Sequence, residues 1–325
     1  MRLRNGAASI LTLAIAALTA CTGTDSRSAP ASIQLLPPQR SWISAGLKKQ
    51  DLLYVSNLTG FVTIYLYSQR SAVGTLIGFK LPMGECADDH GDVFITDYAK
   101  QVIVEYPHGG TKPIEKFNDA PDSPYTCSVD PTTGNLAVAN DDGTSHQGNI
   151  AIWSAASGKR TIYTDSFLYN FEGCAYDSYG TLLVTNGAAG ANGSSYFAWL
   201  PKNGAQFVNV RIPGPSASWR WSNVQGIQWD GLYFAIDDVN VYRISLLHGQ
   251  AYYASETDLY ISSESGPYWI YEPKPNVQGT QIVGGFFEQS SGSVLYWAYP
   301  QGGYAIGSIR TGVDEPFGVT ISLGK

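Results

Sequence analysis

The chain has 325 residues, 14% of them charged, with a formal net charge of −7 and a pI near 5.1. That balance excludes a nucleic-acid ligand, which requires a basic face. Its 35 Gly, 21 Tyr and 8 Trp favour many strands and tight turns over long helices, which want Ala, Glu, Lys and Leu at helical spacing.

The first segment reads as a targeting device. Arg2 and Arg4 precede an apolar run from Gly6 to Ala20 that is too short to span a bilayer stably. The run ends Leu18-Thr19-Ala20-Cys21, with a polar stretch directly after. This resembles a bacterial lipoprotein signal, which implies cleavage before Cys21 and lipidation of its thiol. It also implies a partner, the membrane, through acyl chains such as palmitate, and an extracytoplasmic location. Thr22 in place of an Asp implies the outer membrane in a Gram-negative cell. Residues 1–21 thus read as a signal peptide ending at a lipidated cysteine; the plain alternative is an ordinary secretory signal in which Cys21 falls by chance. Residues 22–50, rich in Ser, Thr, Ala and Pro and broken by Pro37-Pro38, read as a flexible tether. Trp42 and Ile43 are apolar enough to pack on the domain that follows.

From residue 51 onward a unit of roughly 40 to 52 residues recurs. The fullest copy runs from Pro124 to Gly158. Four strand signals, a to d, repeat in each copy. First strands include Glu85–Asp88, Thr126–Val129, Gly173–Tyr176, Gly226–Trp229 and Gly318–Ile321, with a weaker match at Tyr268–Tyr271. Four of them lead into Asp89, Asp130, Asp177 or Asp230, followed closely by a Gly. Asp caps such a turn through its own side chain, and Gly supplies positive φ. Second strands such as Val93–Ile95 and Leu182–Val184 end at Asn57, Asp97, Asn140, Asn186 or Asp237. The third and fourth strands of the last copy read as Val294–Tyr299 and Tyr304–Ile309.

Four strands at this period predict an all-β, six-bladed β-propeller over residues 51–325. The first copy starts at its second strand, near Leu52, and the last segment, Pro316–Ser322, is a first strand with nothing after it. The two termini are therefore expected to complete one blade and shut the ring. The pattern Pro-x-Gly-or-Cys-x-x-Asp…Gly-x-Leu-x-Val-x-Asn resembles six-bladed propellers of the NHL-repeat and gluconolactonase-like type. That group holds both enzymes and passive binders, so the resemblance implies fold more than activity.

Ligands of propellers bind mostly at the face shared by the d–a and b–c loops, here called the top. His90, His108 and His248 fall on the opposite face and are expected to be solvated; only His146 belongs to the top. A Ser-His-Asp hydrolase or multi-histidine zinc site is poorly supported. Cys86, Cys127 and Cys174 read as the same position in three successive first strands. The bland reading is three small buried hydrophobes. One interblade disulfide and a three-thiolate metal site are the alternatives, and side chains in equivalent register disfavour a facing pair. Glu85, Glu172, Asp97, Asn140, Asn186 and Asp237 lie near strand ends on the top, where oxygen ligands can hold Ca2+ or another hard cation. The gluconolactonase-like resemblance implies a Glu, Asn and Asp set of this kind, and with it a metal-dependent hydrolase or lactonase. The same Asn and Asp residues also suit ordinary turn chemistry. Trp219-Arg220-Trp221 in a d–a loop, with Tyr125, Tyr268 and Trp269, form the second candidate site. Exposed Trp, Tyr and Arg suit recognition of protein, peptide or carbohydrate; the plain alternative is that these rings fill the channel. The favoured expectation is a lipid-anchored, non-catalytic binding or scaffold module.

Overall fold

The computed structural model describes residues 38–141, 148–168, 170–186, 195–216, 218–221, 224, 226–238, 240–260, 281–288 and 291–325. Cys21, His146, Tyr268 and Trp269 lie outside these residues, as does the whole predicted signal.

The chain is an all-β, six-bladed propeller built on four-stranded antiparallel blades. Blade two is Pro82–Ala87, Val93–Asp97, Val102–Tyr106 and Glu115–Asn118, paired in chain order. Blade three runs Pro124–Val129, Leu136–Asn140, Asn149–Trp153 and Arg160–Tyr163, and blade four Gly173–Tyr176, Leu182–Thr185, Phe197–Leu200 and Val208–Val210. Blade five is Gly226–Trp229, Phe234–Asp238, Asn240–Leu247 and Gln250–Thr257. Both faces of each blade are covered by its neighbours, so the strands are apolar runs with little alternation. Leu52, Leu53, Tyr54 and Val55 are all fully buried in succession.

The ring closes as the sequence implies. Pro316–Ser322 pairs antiparallel with Leu52–Asn57, setting Val319 opposite Val55 and Ile321 opposite Leu53. Phe61–Leu66 and Ser71–Ile77 continue that blade outward. The Asn57 side chain ties both termini. Its Nδ2 donates to the Val55 and Phe61 carbonyls, and its Oδ1 accepts from the Asp314 amide at 2.7 Å. Part of the predicted tether is engaged as well. Trp42–Ile43 adds a fifth strand to the outer edge of this blade, with Trp42 opposite Thr75. Lys325 donates its amide to the Lys48 carbonyl. His108, expected to be solvated, is half-buried and hydrogen-bonds Ser322 Oγ and the Leu47 carbonyl. It thereby joins the closing strand to the N-terminal segment.

One glycine position explains how the inner strands pack. A Cβ on Gly84 would lie 2.6 Å from the Tyr125 carbonyl oxygen, and one on Gly318 would lie 2.1 Å from that of Met83. Adjacent inner strands approach too closely there for any side chain. Gly285 meets the Phe317 carbonyl in the same way, at 2.8 Å. Among the described residues Gln281–Glu288 therefore takes the inner place of blade six, followed outward by Ser291–Ala298 and Gly307–Ile309. This moves Val294–Tyr299 from the predicted third strand to the second. The weaker match at 268–271 lies outside the described residues. A short parallel pair, Leu259–Tyr260 with Gly303–Tyr304, flanks this sheet.

The underside turns follow the predicted chemistry with one shift. Asp130 Oδ1 accepts from the Thr132 amide, Asp177 Oδ1 from Tyr179 and Thr181, and Asp230 Oδ1 from Leu232 and Tyr233. In blade two the capping residue is Asp88, which accepts from the His90 and Asp92 amides. The predicted register of that strand, with Asp89 as the cap, is one residue out. The slip matters for the cysteines. Counted from the capping Asp, Glu85 is the equivalent of Cys127 and Cys174, whereas Cys86 is one place later and faces the other way. Cys86 therefore meets Cys127 of the next blade, and the two form a disulfide with Cα atoms 5.6 Å apart. The expectation of three equivalent packing thiols is corrected; among the described residues Cys174 alone is a free, buried thiol.

Candidate functional site

The oxygen-bearing residues near the strand ends differ in how far their oxygens are engaged. Asp97 accepts from the Lys80 and Leu81 amides at 2.9 and 3.0 Å and from the Lys100 amide at 3.2 Å. Both its oxygens are thus spent on folding the loop beside it. Asn140 donates to Asn149 Oδ1 at 3.0 Å, and Asn186 Oδ1 accepts from the Tyr196 amide at 2.6 Å. Glu85 is buried between blades one and two, where Ser56 Oγ donates to it at 2.7 Å. Burial pushes its carboxyl up to about 8, so it is protonated at neutral pH. Burial raises Glu172 to about 7, with the Asp141 carboxylate adding to the effect. Asp237 is raised well above the usual carboxylate range by burial and then by Asp238. A hard cation wants several converging, ionised oxygens. Asp97 and Asn186 spend their oxygens on their own loops, whereas Glu85 Oε2, Asn140 Oδ1 and Asp237 Oδ2 are buried without a hydrogen-bond partner among the described residues. No three His, Cys, Asp or Glu side chains gather as a metal group among the described residues.

At the channel mouth Tyr125 stands edge-on to Phe317, ring centroids 5.7 Å apart, and edge-on to Tyr98 at 6.5 Å. These rings cover one another between the inner strands.

The tryptophan loop builds a different place. Trp221 is buried, its Nε1 donating to the Ile212 carbonyl at 3.0 Å, and its ring is edge-on to Phe197 and Tyr242 at 5.7 and 5.1 Å. That ring cements blade four to blade five. Trp219 is half-buried, with its ring 5.2 Å from Tyr242 and 6.0 Å from Trp221. Its position depends on Gly214, where a Cβ would lie 2.0 Å from the indole Cδ1. Arg220 is exposed, and one guanidinium N–H donates to the Trp219 carbonyl at 2.8 Å.

All three residues line one cavity of about 570 Å³, within the size range of small-molecule sites. Asn209, Val210, Arg211 and Ile212, at the upper end of the outermost strand of blade four, supply a second wall. Ser195, Tyr196 and Phe197, where the third strand enters, supply a third. Phe167 closes it from the preceding d–a loop, edge-on to Tyr196 at 5.1 Å. The cavity therefore opens on the top face over the outer half of blade four. Tyr125 does not line it, so the structure separates the predicted mouth residue from the tryptophan loop. A smaller cavity of about 230 Å³ lies behind Trp219, bounded by Arg211, Pro213 and Gly214. The sequence reading missed Phe167, Ser195–Phe197 and Asn209–Ile212. Their signal was weak, because strand residues look the same whether or not their upper ends are covered. Pro213-Gly214-Pro215, which turns the chain into the tryptophan loop, was the one local clue.

No family model and no curated protein sequence matches the chain. Solved structures share its fold. A chain from a nidogen/laminin complex aligns with a TM-score of 0.62 at 12% identity, covering 85% of this chain and 99% of that one. The Cps50 (Swd1) β-propeller domain of Myceliophteria thermophila aligns with a TM-score of 0.57 at 9% identity, covering 86% and 88%. Hydrazine synthase of Kuenenia stuttgartiensis aligns at 0.54 with 14% identity, covering 71% and 76%. At these identities the likeness is one of architecture: the chain is a six-bladed β-propeller.

Proposed function

We propose that this propeller is a non-catalytic binding module of the cell envelope, held to a membrane by a lipidated Cys21 and reading its ligand through the top face of blade four. The observation that carries the reading is the cavity of about 570 Å³ shared by Trp219, Arg220 and Trp221. A half-buried indole beside an exposed guanidinium is the composition of recognition sites rather than of a plain core. One structural neighbour comes from a protein–protein complex, that of nidogen with laminin, which suits a propeller acting by contact. The NHL-like repeat pattern and the Leu18-Thr19-Ala20-Cys21 sequence support the same assignment.

Two experiments test it. A thermal-shift screen of saccharides, peptides and small organic acids is expected to give a ligand whose stabilisation is lost in Trp219→Ala. A ligand that stabilises both proteins equally contradicts the site. Metabolic labelling with palmitate is expected to mark the wild-type chain and not Cys21→Ser; equal labelling of both contradicts the anchor.

A further inference from the structure

The charge of the cavity narrows its ligand. Arg211 and Arg220 both line it and both are exposed. Neither forms an ion pair among the described residues, and no carboxylate is part of the lining. Two cationic side chains without a carboxylate partner stand against the charge of the whole chain, which is −7; Arg220 gives one N–H to the Trp219 carbonyl and keeps the rest of its donors. Arg160 and Arg243, by contrast, are both committed to buried aspartates, at 2.7 Å in each case. Ser195 adds a donor: its Oγ accepts from the Val224 amide, which leaves its own proton to give. The floor between these groups is apolar, made by Phe197, Ile212 and Trp221.

We propose that the cavity takes a small organic carboxylate, its acid group held by Arg211 and Arg220 and its body lying on the aromatic floor. The body is either an aromatic ring or the C–H face of an acidic sugar; the chemistry shared by both is a carboxylate beside an apolar surface. Guanidinium and carboxylate make charge-assisted, often bidentate hydrogen bonds, which a neutral isostere does not match. The proposal rests on the binding reading above and adds the charge of the ligand to it.

The test titrates the whole chain with phenylacetate and phenylacetamide, and with glucuronate and glucuronamide, by calorimetry. At least one acid is expected to bind about tenfold tighter than its own amide, a difference of about 1.4 kcal/mol. Its affinity falls as salt is raised from about 50 to about 500 mM, because exposed charges are screened. Arg220→Gln and Arg211→Gln each weaken that acid about fivefold or more and leave the amide within about twofold. Unchanged melting temperatures show that both variants fold, and Arg220→Lys recovers part of the loss. Binding by phenylacetate alone assigns the aromatic source, and binding by glucuronate alone assigns the sugar. If an amide binds as tightly as its acid and Trp219→Ala abolishes both, the carboxylate proposal is overturned while the cavity stands as a site. If neither acid binds, the proposal is overturned outright.

Discussion

Cys86 and Cys127 are joined across two blades because they are not equivalent residues. Cys86 sits two places before its turn-capping Asp88, and Cys127 three places before Asp130. In a strand that one-residue offset reverses the side chain, so one thiol looks forward round the ring and the other back.

The disulfide closes a loop with a sequence separation of 41, and the loop-entropy relation puts its stabilisation at about 3–4 kcal/mol. Cys86→Ser with Cys127→Ser should lower the denaturant midpoint accordingly. In wild type the reductant should produce the same loss, and in the double variant it should do nothing. Cys174→Ser should leave the reductant response intact.

Glu85 occupies a position that is Cys127 or Cys174 in the next blades, and burial there lifts its carboxyl from 4.5 to about 8. The folded chain holds this proton more tightly than the unfolded chain. Below the unfolded value both states carry it. Stability therefore falls as pH rises from about 4.5 to about 8 and then levels, with a slope of at most about 1.4 kcal/mol per pH unit from this group. Glu85→Gln should flatten that decline in urea-melting curves measured across the window. A decline as steep as that of wild type would assign the effect to other carboxyls, Glu105 and Glu172 among them, which burial raises in the same direction.

Closure of the ring depends on one strand. Removing residues 315–325 takes away the inner strand of blade one, the partner of Leu52–Asn57. The truncated chain should lose its cooperative melt; a sharp transition by circular dichroism would contradict this. Gly318→Ala is a milder probe of the same place. A Cβ there must displace the Met83 backbone, at a cost of about 1–3 kcal/mol.

Much of this architecture was legible in the residues, and the gaps have physical causes. Turn aspartates and glycines at a fixed period reported the blades, and an unpaired strand at each end reported the closure. The cysteine pair was misread because two adjacent aspartates, Asp88 and Asp89, both look like caps, and choosing the wrong one turned Cys86 around. Blade six was misplaced because Gly285 sits in an apolar run, Ile282 to Phe286, whose register no capping Asp marks. At the site, Trp219-Arg220-Trp221 stood out by composition alone. Which ring would be buried did not, since that depends on Ile212, Phe197 and Tyr242 from other strands.

The metal expectation can be tested independently of the cavity. Asp97 and Asn186 spend their oxygens on their own loops, and no three of the candidate carboxylates gather among the described residues, so neither a chelator nor added Ca2+ should move the melting temperature. A calcium-dependent rise that disappears in Asp97→Asn would show that these residues do converge on an ion.

Trp219 itself gives the most direct reading of the account. In protein labelled with 15N at the indole nitrogens, a ligand from the screen should shift the Nε1–H resonance of Trp219. The resonance of Trp297, fully buried in the core, should stay in place, and the variant Gly214→Ala should weaken the response by displacing the ring. A ligand that binds tightly, stabilises the fold and leaves the Trp219 resonance unmoved would contradict the assignment of the site.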